Sequence, residues 1–323
     1  MRVLVTGGAG FIGSHIVDQL LSRGHQPFVV DDLSTGDRRN LPPDVPLYEV
    51  DICDGPGLAE VFDEVGPDWV CHQAAQMSVS RSMREPVFDA EINVMGLIRV
   101  FDNAARVKAE KIVFASSGGV LYGDVTTPAS EESPIGPISP YGIAKWVGER
   151  YLKFYARERN LKGIAMRYAN VFGPRQNPHG EAGVVAIFSQ KMLAGEVATI
   201  NGDGRYVRDY VYALDVARAN VLALESDAEA PFLALNIGTG IGTDVNQLAD
   251  LVRSEIQNLW NSSGHQRKIP DCLHGPARSG DLRSNLVSAN RAQQVLGWQP
   301  SVSLKAGIRD TVTWFANQVA RVQ

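Results

Sequence analysis

Short strand-like apolar runs alternate with helical stretches through the first half of the chain. Residues 3–5, 28–31, 47–50, 69–73, 111–116 and 163–167 are rich in valine, isoleucine and aromatic side chains and are bounded by turn residues. Between the first two, Phe11, Ile12, Ile16, Val17, Leu20 and Leu21 recur at helical spacing, and residues 57–64, 93–106 and 141–159 read as further helices. This alternation predicts an α/β fold, a doubly wound parallel sheet with helices on both faces. A late strand, Phe232–Ile237, is followed by a glycine-rich turn and a helix near 245–254, so the sheet is expected to draw strands from both halves of the chain. The expected division is a first domain of residues 1–173 with a returning strand and helix near 228–258. A smaller, loop-rich C-terminal lobe takes residues 174–227 and 259–323 and lies over the C-terminal strand ends, where open α/β sheets bind ligands. The polar stretch 261–267 reads as a surface loop, and no internal repeat is visible.

The first strand breaks into glycines: Thr6-Gly-Gly-Ala-Gly-Phe-Ile-Gly13. Gly8, Gly10 and Gly13 fit one dinucleotide spacing and Gly7, Gly10 and Gly13 a second. Glycines there allow a tight turn and bring backbone amides to a pyrophosphate at the positive end of a helix. Glycine triplets also occur in ordinary turns, but here a strand precedes, a helix follows, and a second strand ends in Asp31. A carboxylate at that point accepts hydrogen bonds from the adenosine ribose and repels a 2′-phosphate, and Asp32 adds to the repulsion. The expected domain is Rossmann-like and the expected cofactor is NAD rather than NADP.

With 323 residues, 44% of them hydrophobic, the chain can bury a large core. Its net charge is −5 with no basic run, which argues against nucleic acid or anionic membrane as partners. Cys53, Cys71 and Cys272 are odd in number and far apart, a pattern of reduced structural thiols with no metal or redox spacing. No leader-like or bilayer-spanning stretch is seen, so the expected location is cytoplasmic.

The chemistry is expected in Ser139-Pro-Tyr-Gly-Ile-Ala-Lys145, where Tyr141 and Lys145 share one helix face. A free phenol titrates near pH 10 and is a poor base at neutrality. A lysine ammonium one turn away and a cationic nicotinamide would favour the phenolate. Tyr–Lys pairs at this spacing are common on surfaces. This one follows a dinucleotide turn and a strand that ends in hydroxyls, Phe114-Ala-Ser-Ser117.

Together these segments resemble the extended short-chain dehydrogenase/reductase family, which acts on nucleotide sugars. The resemblance runs through Asp51-Ile52, His72-Gln-Ala-Ala75, Asn93, Ser116-Ser-Gly-Gly-Val-Leu-Tyr-Gly123, Arg167-Tyr-Ala-Asn-Val-Phe-Gly-Pro174, Arg208-Asp-Tyr210, Asn236-Ile-Gly-Thr-Gly240 and Leu296-Gly-Trp-Gln-Pro300. Within the family the chain is similar to the branch that epimerises UDP-hexoses at C4. The resemblance implies that Gly7, Gly10 and Gly13 hold the pyrophosphate, that Asp31 holds the adenosine ribose, and that Phe11, Ile12 and Asp32 also line the NAD site. It further implies that Asp51 and Ile52 flank the adenine, and that Ala74, Asn93, Ser116, Tyr141, Lys145 and Tyr168 complete the NAD site. Ser117, Tyr141, Asn170, Arg208, Arg278, Asp281 and Asn285 would face a UDP-sugar. Arginines suit a diphosphate because they offer charge-assisted, bidentate bonds. The implied reaction is transient oxidation at C4 and return of the hydride to the opposite face. A homodimer built on the helices at 93–106 and 141–159 is also implied.

The chain departs from the family pattern at the hydroxyl. Gly118 stands four residues before Tyr122, where many members carry Ser or Thr, so Ser117 is the expected catalytic hydroxyl and Ser116 the alternative. Sugar-nucleotide dehydratases and decarboxylases carry further acid/base residues in this loop. Here Gly119 and Val120 occupy those positions and cannot transfer a proton. Asn285 aligns with a residue that walls the sugar C2 substituent. Its intermediate size would admit UDP-N-acetylhexosamines, and C4 epimerisation of a UDP-uronate is a separate alternative.

Overall fold

The computed structural model describes residues 1–178, 183–264, 267–277 and 281–322. In chain order the first strands are β1 (Arg2–Thr6), β2 (Gln26–Val30), β3 (Leu47–Tyr48), β4 (Trp69–His72), β5 (Lys111–Ser117), β6 (Lys162–Tyr168) and β7 (Asn170–Phe172). They are followed by β8 (Thr199–Asn201), β9 (Val207–Tyr212), β10 (Phe232–Ile237), β11 (Gly242–Asp244), β12 (Leu273–Gly275) and β13 (Ser284–Asn285).

Seven strands form a parallel sheet in the order β10-β6-β5-β4-β1-β2-β3, the Rossmann-like arrangement expected from the alternating pattern. Strand order reverses at β1: β2 and β3 lie to one side and β4, β5, β6 and the returning β10 to the other. The crevice above β1 and β4 is therefore the topological switch point. On one face of the sheet, Val3, Val5, Val113, Met166 and Leu235 join Ile16, Leu20, Val216 and Leu224 in a buried cluster. On the other, Leu4, Phe114 and Ala165 pack with Phe62, Val100, Phe101 and Leu152. Both faces are covered, which is why the central strands read as nearly continuous apolar runs.

A second sheet, β11-β9-β13 with β7 also paired to β9, rises from the C-terminal edge, and β8 pairs β12. Behind it the helices Val184–Ala194, Val245–Ser262 and Leu304–Val322 enclose a third cluster that includes Phe188, Met192, Val252 and Ile308.

Two helices lie where the sequence did not put them. Ala213–Glu225, expected in the lobe, packs on the large sheet against Phe11–Ser22. The helix after β10, expected with the large sheet, packs in the lobe instead. Both helices carry apolar faces, and hydrophobic periodicity does not say which surface such a face will meet. The helix read at 93–106 starts as a π-helical turn over Glu91–Gly96 before continuing as Leu97–Arg106.

Candidate active site

The glycine turn is shaped by sterics. Gly7 has φ +68°, and a Cβ on it would lie 2.7 Å from the Ala74 nitrogen. A Cβ on Gly13 would lie 2.1 Å from the Gly7 carbonyl oxygen. The turn therefore closes only with glycine at both positions. Helix Phe11–Ser22 starts at Gly10 with no side-chain cap, so its first amides remain available to an anion. This uncapped turn at the switch point fits a dinucleotide pyrophosphate.

Asp31 follows β2 directly and is buried. Its carboxylate accepts from the Ala9 amide at 2.9 Å and the Leu33 amide at 2.9 Å. Desolvation pushes its pKa up, opposed by those backbone bonds. Asp31 thus braces the glycine turn itself. Asp32 is exposed and accepts from the Ser34 amide and hydroxyl. Asp51 is exposed and accepts from the Cys53 amide, while Ile52 is buried against Gly96. Phe11 stands edge-on to His15 and Ile12 packs on the core cluster of its face. The Ala74 amide donates to the Thr6 hydroxyl beside Gly7.

Three residues expected at the cofactor have their side chains committed elsewhere. Asn93 donates to the Gln76 carbonyl at 2.8 Å and to Asp89 at 2.9 Å, and it accepts from the Gln76 amide. The Ser116 hydroxyl donates to Glu149 at 2.6 Å. The Tyr168 hydroxyl donates to Asn220 at 2.8 Å and lies 3.2 Å from Gln73.

Helix Pro140–Glu158 opens with Ser139 as its N-cap, the hydroxyl accepting from the Gly142 amide at 3.1 Å, and with proline in its first turn. This start sets Tyr141 and Lys145 over the C-terminal end of β5. The Lys145 Nζ lies 5.5 Å from the Tyr141 ring centre and 5.1 Å from that of Phe114. Burial holds the Lys145 pKa down to about 8, with the Asp89 carboxylate opposing. Desolvation pushes the Tyr141 phenol up, the charge of Asp89 adds to this, and a hydrogen bond with Ser117 pulls it down.

Geometry separates the two serines, since Ser116 serves Glu149 and Ser117 meets Tyr141. It also explains the glycine at 118. A Cβ there would lie 2.8 Å from a Val287 methyl and 3.1 Å from the Arg167 carbonyl, so no hydroxyl-bearing side chain fits.

The sequence reading missed Asp89. It is buried, accepts from Gln76 at 2.7 Å and from Asn93, and faces Lys145 and Tyr141 electrostatically. Its spacing of four before Asn93 was the available signal.

Around β9 the fold gathers residues distant in sequence. Asn170 is in register with Tyr210, and Asn285 with Arg208. Arg208 pairs with Asp281. Asn285 is fully buried; its Nδ2 donates to the Gly123 carbonyl while its Oδ1 has no partner. The Asn170 Nδ2 is likewise buried and unpartnered. Unpaired buried donors and acceptors are costly, and a polar ligand would satisfy them. Arg278 lies outside the described residues.

Known proteins resemble this chain over nearly its whole length. The profile of the NAD dependent epimerase/dehydratase family matches residues 3–238. The UDP-glucose 4-epimerase of Mycolicibacterium smegmatis is 42% identical over 98% of this chain and 99% of its own. The crystal structure of UDP-glucose 4-epimerase with UDP-glucose from Thermotoga maritima superposes with a TM-score of 0.90 at 45% identity, covering 99% and 100% of the two chains. That of the Thermus thermophilus UDP-glucose 4-epimerase in complex with NAD gives 0.89 at 43% identity, covering 98% and 99%.

Proposed function

Because the chain belongs to the NAD dependent epimerase/dehydratase family, we propose that it interconverts UDP-glucose and UDP-galactose by inverting C4. The observation that carries this reading is the grouping of Ser117, Tyr141 and Lys145, with only Gly119 and Val120 where an additional acid or base would be needed for elimination or decarboxylation. NAD⁺ bound at the glycine turn supplies the hydride acceptor and donor for C4. Tyr141 takes the proton of the 4-hydroxyl and later returns it, and Ser117 orients that hydroxyl by hydrogen bonding. The Lys145 ammonium lowers the cost of the Tyr141 phenolate and would help hold the nicotinamide ribose. Between the two half-reactions the sugar must present its other face. Asn170, Arg208, Asp281 and Arg278 therefore hold the UDP half firmly and leave the sugar loosely held, which places binding energy away from the reacting carbon.

The test is to incubate the purified protein with UDP-galactose and NAD⁺ but no added reductant. UDP-glucose forms if the reading is right, and its absence rejects it. The buried Asn285, with its unpartnered Oδ1, supports acceptance of UDP-N-acetylhexosamines as a second activity, and a panel of UDP-sugars decides this. Three free thiols support a cytoplasmic location. The protein acts as a homodimer: Met83, Val87 and Met95 join Ile143, Tyr151 and Phe154 as exposed apolar side chains on neighbouring helices, more than a lone subunit would leave wet.

A further inference from the structure

One rung below the reacting edge, the large sheet turns polar. Ser116, Arg167 and Asn236 are register partners across β5, β6 and β10, whereas two residues earlier the same row reads Phe114, Ala165 and Ala234. Glu149 reaches this polar row from helix Pro140–Glu158, one turn past Lys145 and two past Tyr141. Its carboxylate is 0% exposed and receives Arg167 Nε at 2.8 Å, Arg167 Nη2 at 2.7 Å and the Ser116 hydroxyl at 2.6 Å. The remaining Arg167 Nη1 donates to the Tyr122 hydroxyl at 2.7 Å and to the Glu131 carbonyl at 3.3 Å. Tyr122 in turn donates to Asn236 at 2.7 Å.

A buried ion pair contributes little net stability compared with apolar side chains of similar volume. What the bidentate fork does supply is a fixed distance and angle between the elements that carry it. Ser116 is covalently joined to Ser117, and Glu149 shares one rigid helix with Tyr141 and Lys145. We infer that the Ser116–Glu149–Arg167 cluster positions the catalytic groups, setting the separation between the Ser117 hydroxyl and the Tyr141 phenol. The inference rests on the acid–base roles proposed above.

Replacing the pair together, Glu149→Leu with Arg167→Met, separates positioning from stability. The double variant is expected to keep a near-native Tm. Its kcat should fall by about 10- to 100-fold, the scale of a misplaced reacting group. KM for UDP-galactose should stay within about twofold, because the UDP contacts come from β7, β9 and the segment before β13, not from this cluster. The acid limb of its kcat–pH profile should move to higher pH, as a phenolate less well supported by Ser117 is harder to form. A wild-type kcat, or a parallel collapse of kcat, KM and Tm, overturns the inference. Ser116→Ala leaves the ion pair and its charge balance intact. It should lower kcat several-fold with KM and Tm unchanged, and an unaltered kcat overturns the link to Ser117 even if the double variant does not fold. A wild-type protein that does not epimerise rejects the proposed function instead, so the two failures are distinct.

Discussion

In the proposed reaction Tyr141 acts through one oxygen, so Tyr141→Phe would remove the acid–base group and little else. Turnover should drop by about 10³-fold, with the far-UV circular dichroism spectrum unchanged. A variant that still turns over at the native rate removes Tyr141 from the mechanism. Gly13 works through the absence of an atom. In Gly13→Ala the new methyl meets the Gly7 carbonyl and opens the turn that receives the pyrophosphate. Affinity for NAD⁺ should weaken by about tenfold or more, roughly 1.4 kcal/mol, as read by calorimetric titration of protein stripped of nucleotide. Both residues could be nominated from sequence, one from its spacing to Lys145 and one from the glycine fingerprint. Sequence also favoured Ser117 over Ser116, but the physical reason for that choice came only with the fold. It lies in Glu149 claiming one hydroxyl and in Val287 and Arg167 filling the space beside Gly118.

Between elements, the glycine-turn helix is tied to the start of the lobe by His15, whose Nε2 lies 2.9 Å from the Pro174 carbonyl. Arg175 adds an ion pair to Asp18 on the same helix. Burial lowers the His15 pKa to about 4, with the Pro174 bond opposing. The folded state therefore binds fewer protons than the unfolded chain between about pH 4 and the ordinary histidine value. Stability rises with pH across that window and is lost on acidification through it. His72, lowered to about 3 by burial and by Lys145, acts in the same direction. In His15→Gln, the loss of unfolding free energy between pH 7 and pH 5 should shrink by about 2 kcal/mol, measured by urea denaturation at the two values. An undiminished loss would mean that His15 does not titrate with folding. The linkage was invisible in the sequence, since residues 15 and 174 lie far apart and the contact is made through a backbone carbonyl.

At the scale of the whole molecule, the exposed apolar stripe is the feature a single chain leaves unresolved. Ile143, Tyr151 and Phe154 fall on one face of helix Pro140–Glu158, and Val87, 71% exposed, lies on a neighbouring helix that packs against it. Sedimentation equilibrium should give twice the chain mass. Val87→Glu together with Phe154→Glu should shift the population to monomer, because each subunit would have to bury two charges at the interface. A wild-type monomer at micromolar concentration contradicts the dimer.

The sequence by itself determined the parallel α/β sheet, the glycine turn and the Tyr141–Lys145 pair. All three are local: strand and helix periodicities, a turn that tolerates no Cβ, and two side chains one helical turn apart. Tertiary structure decided which surfaces the helices Ala213–Glu225 and Val245–Ser262 would cover. It brought Asn170, Arg208 and Asn285 together around β9, and it buried Asp89, Glu149 and Arg167 behind the reacting groups. These outcomes depend on strand register and on how polar groups far apart in the chain satisfy one another out of water. Neither has a period that can be read along a single sequence.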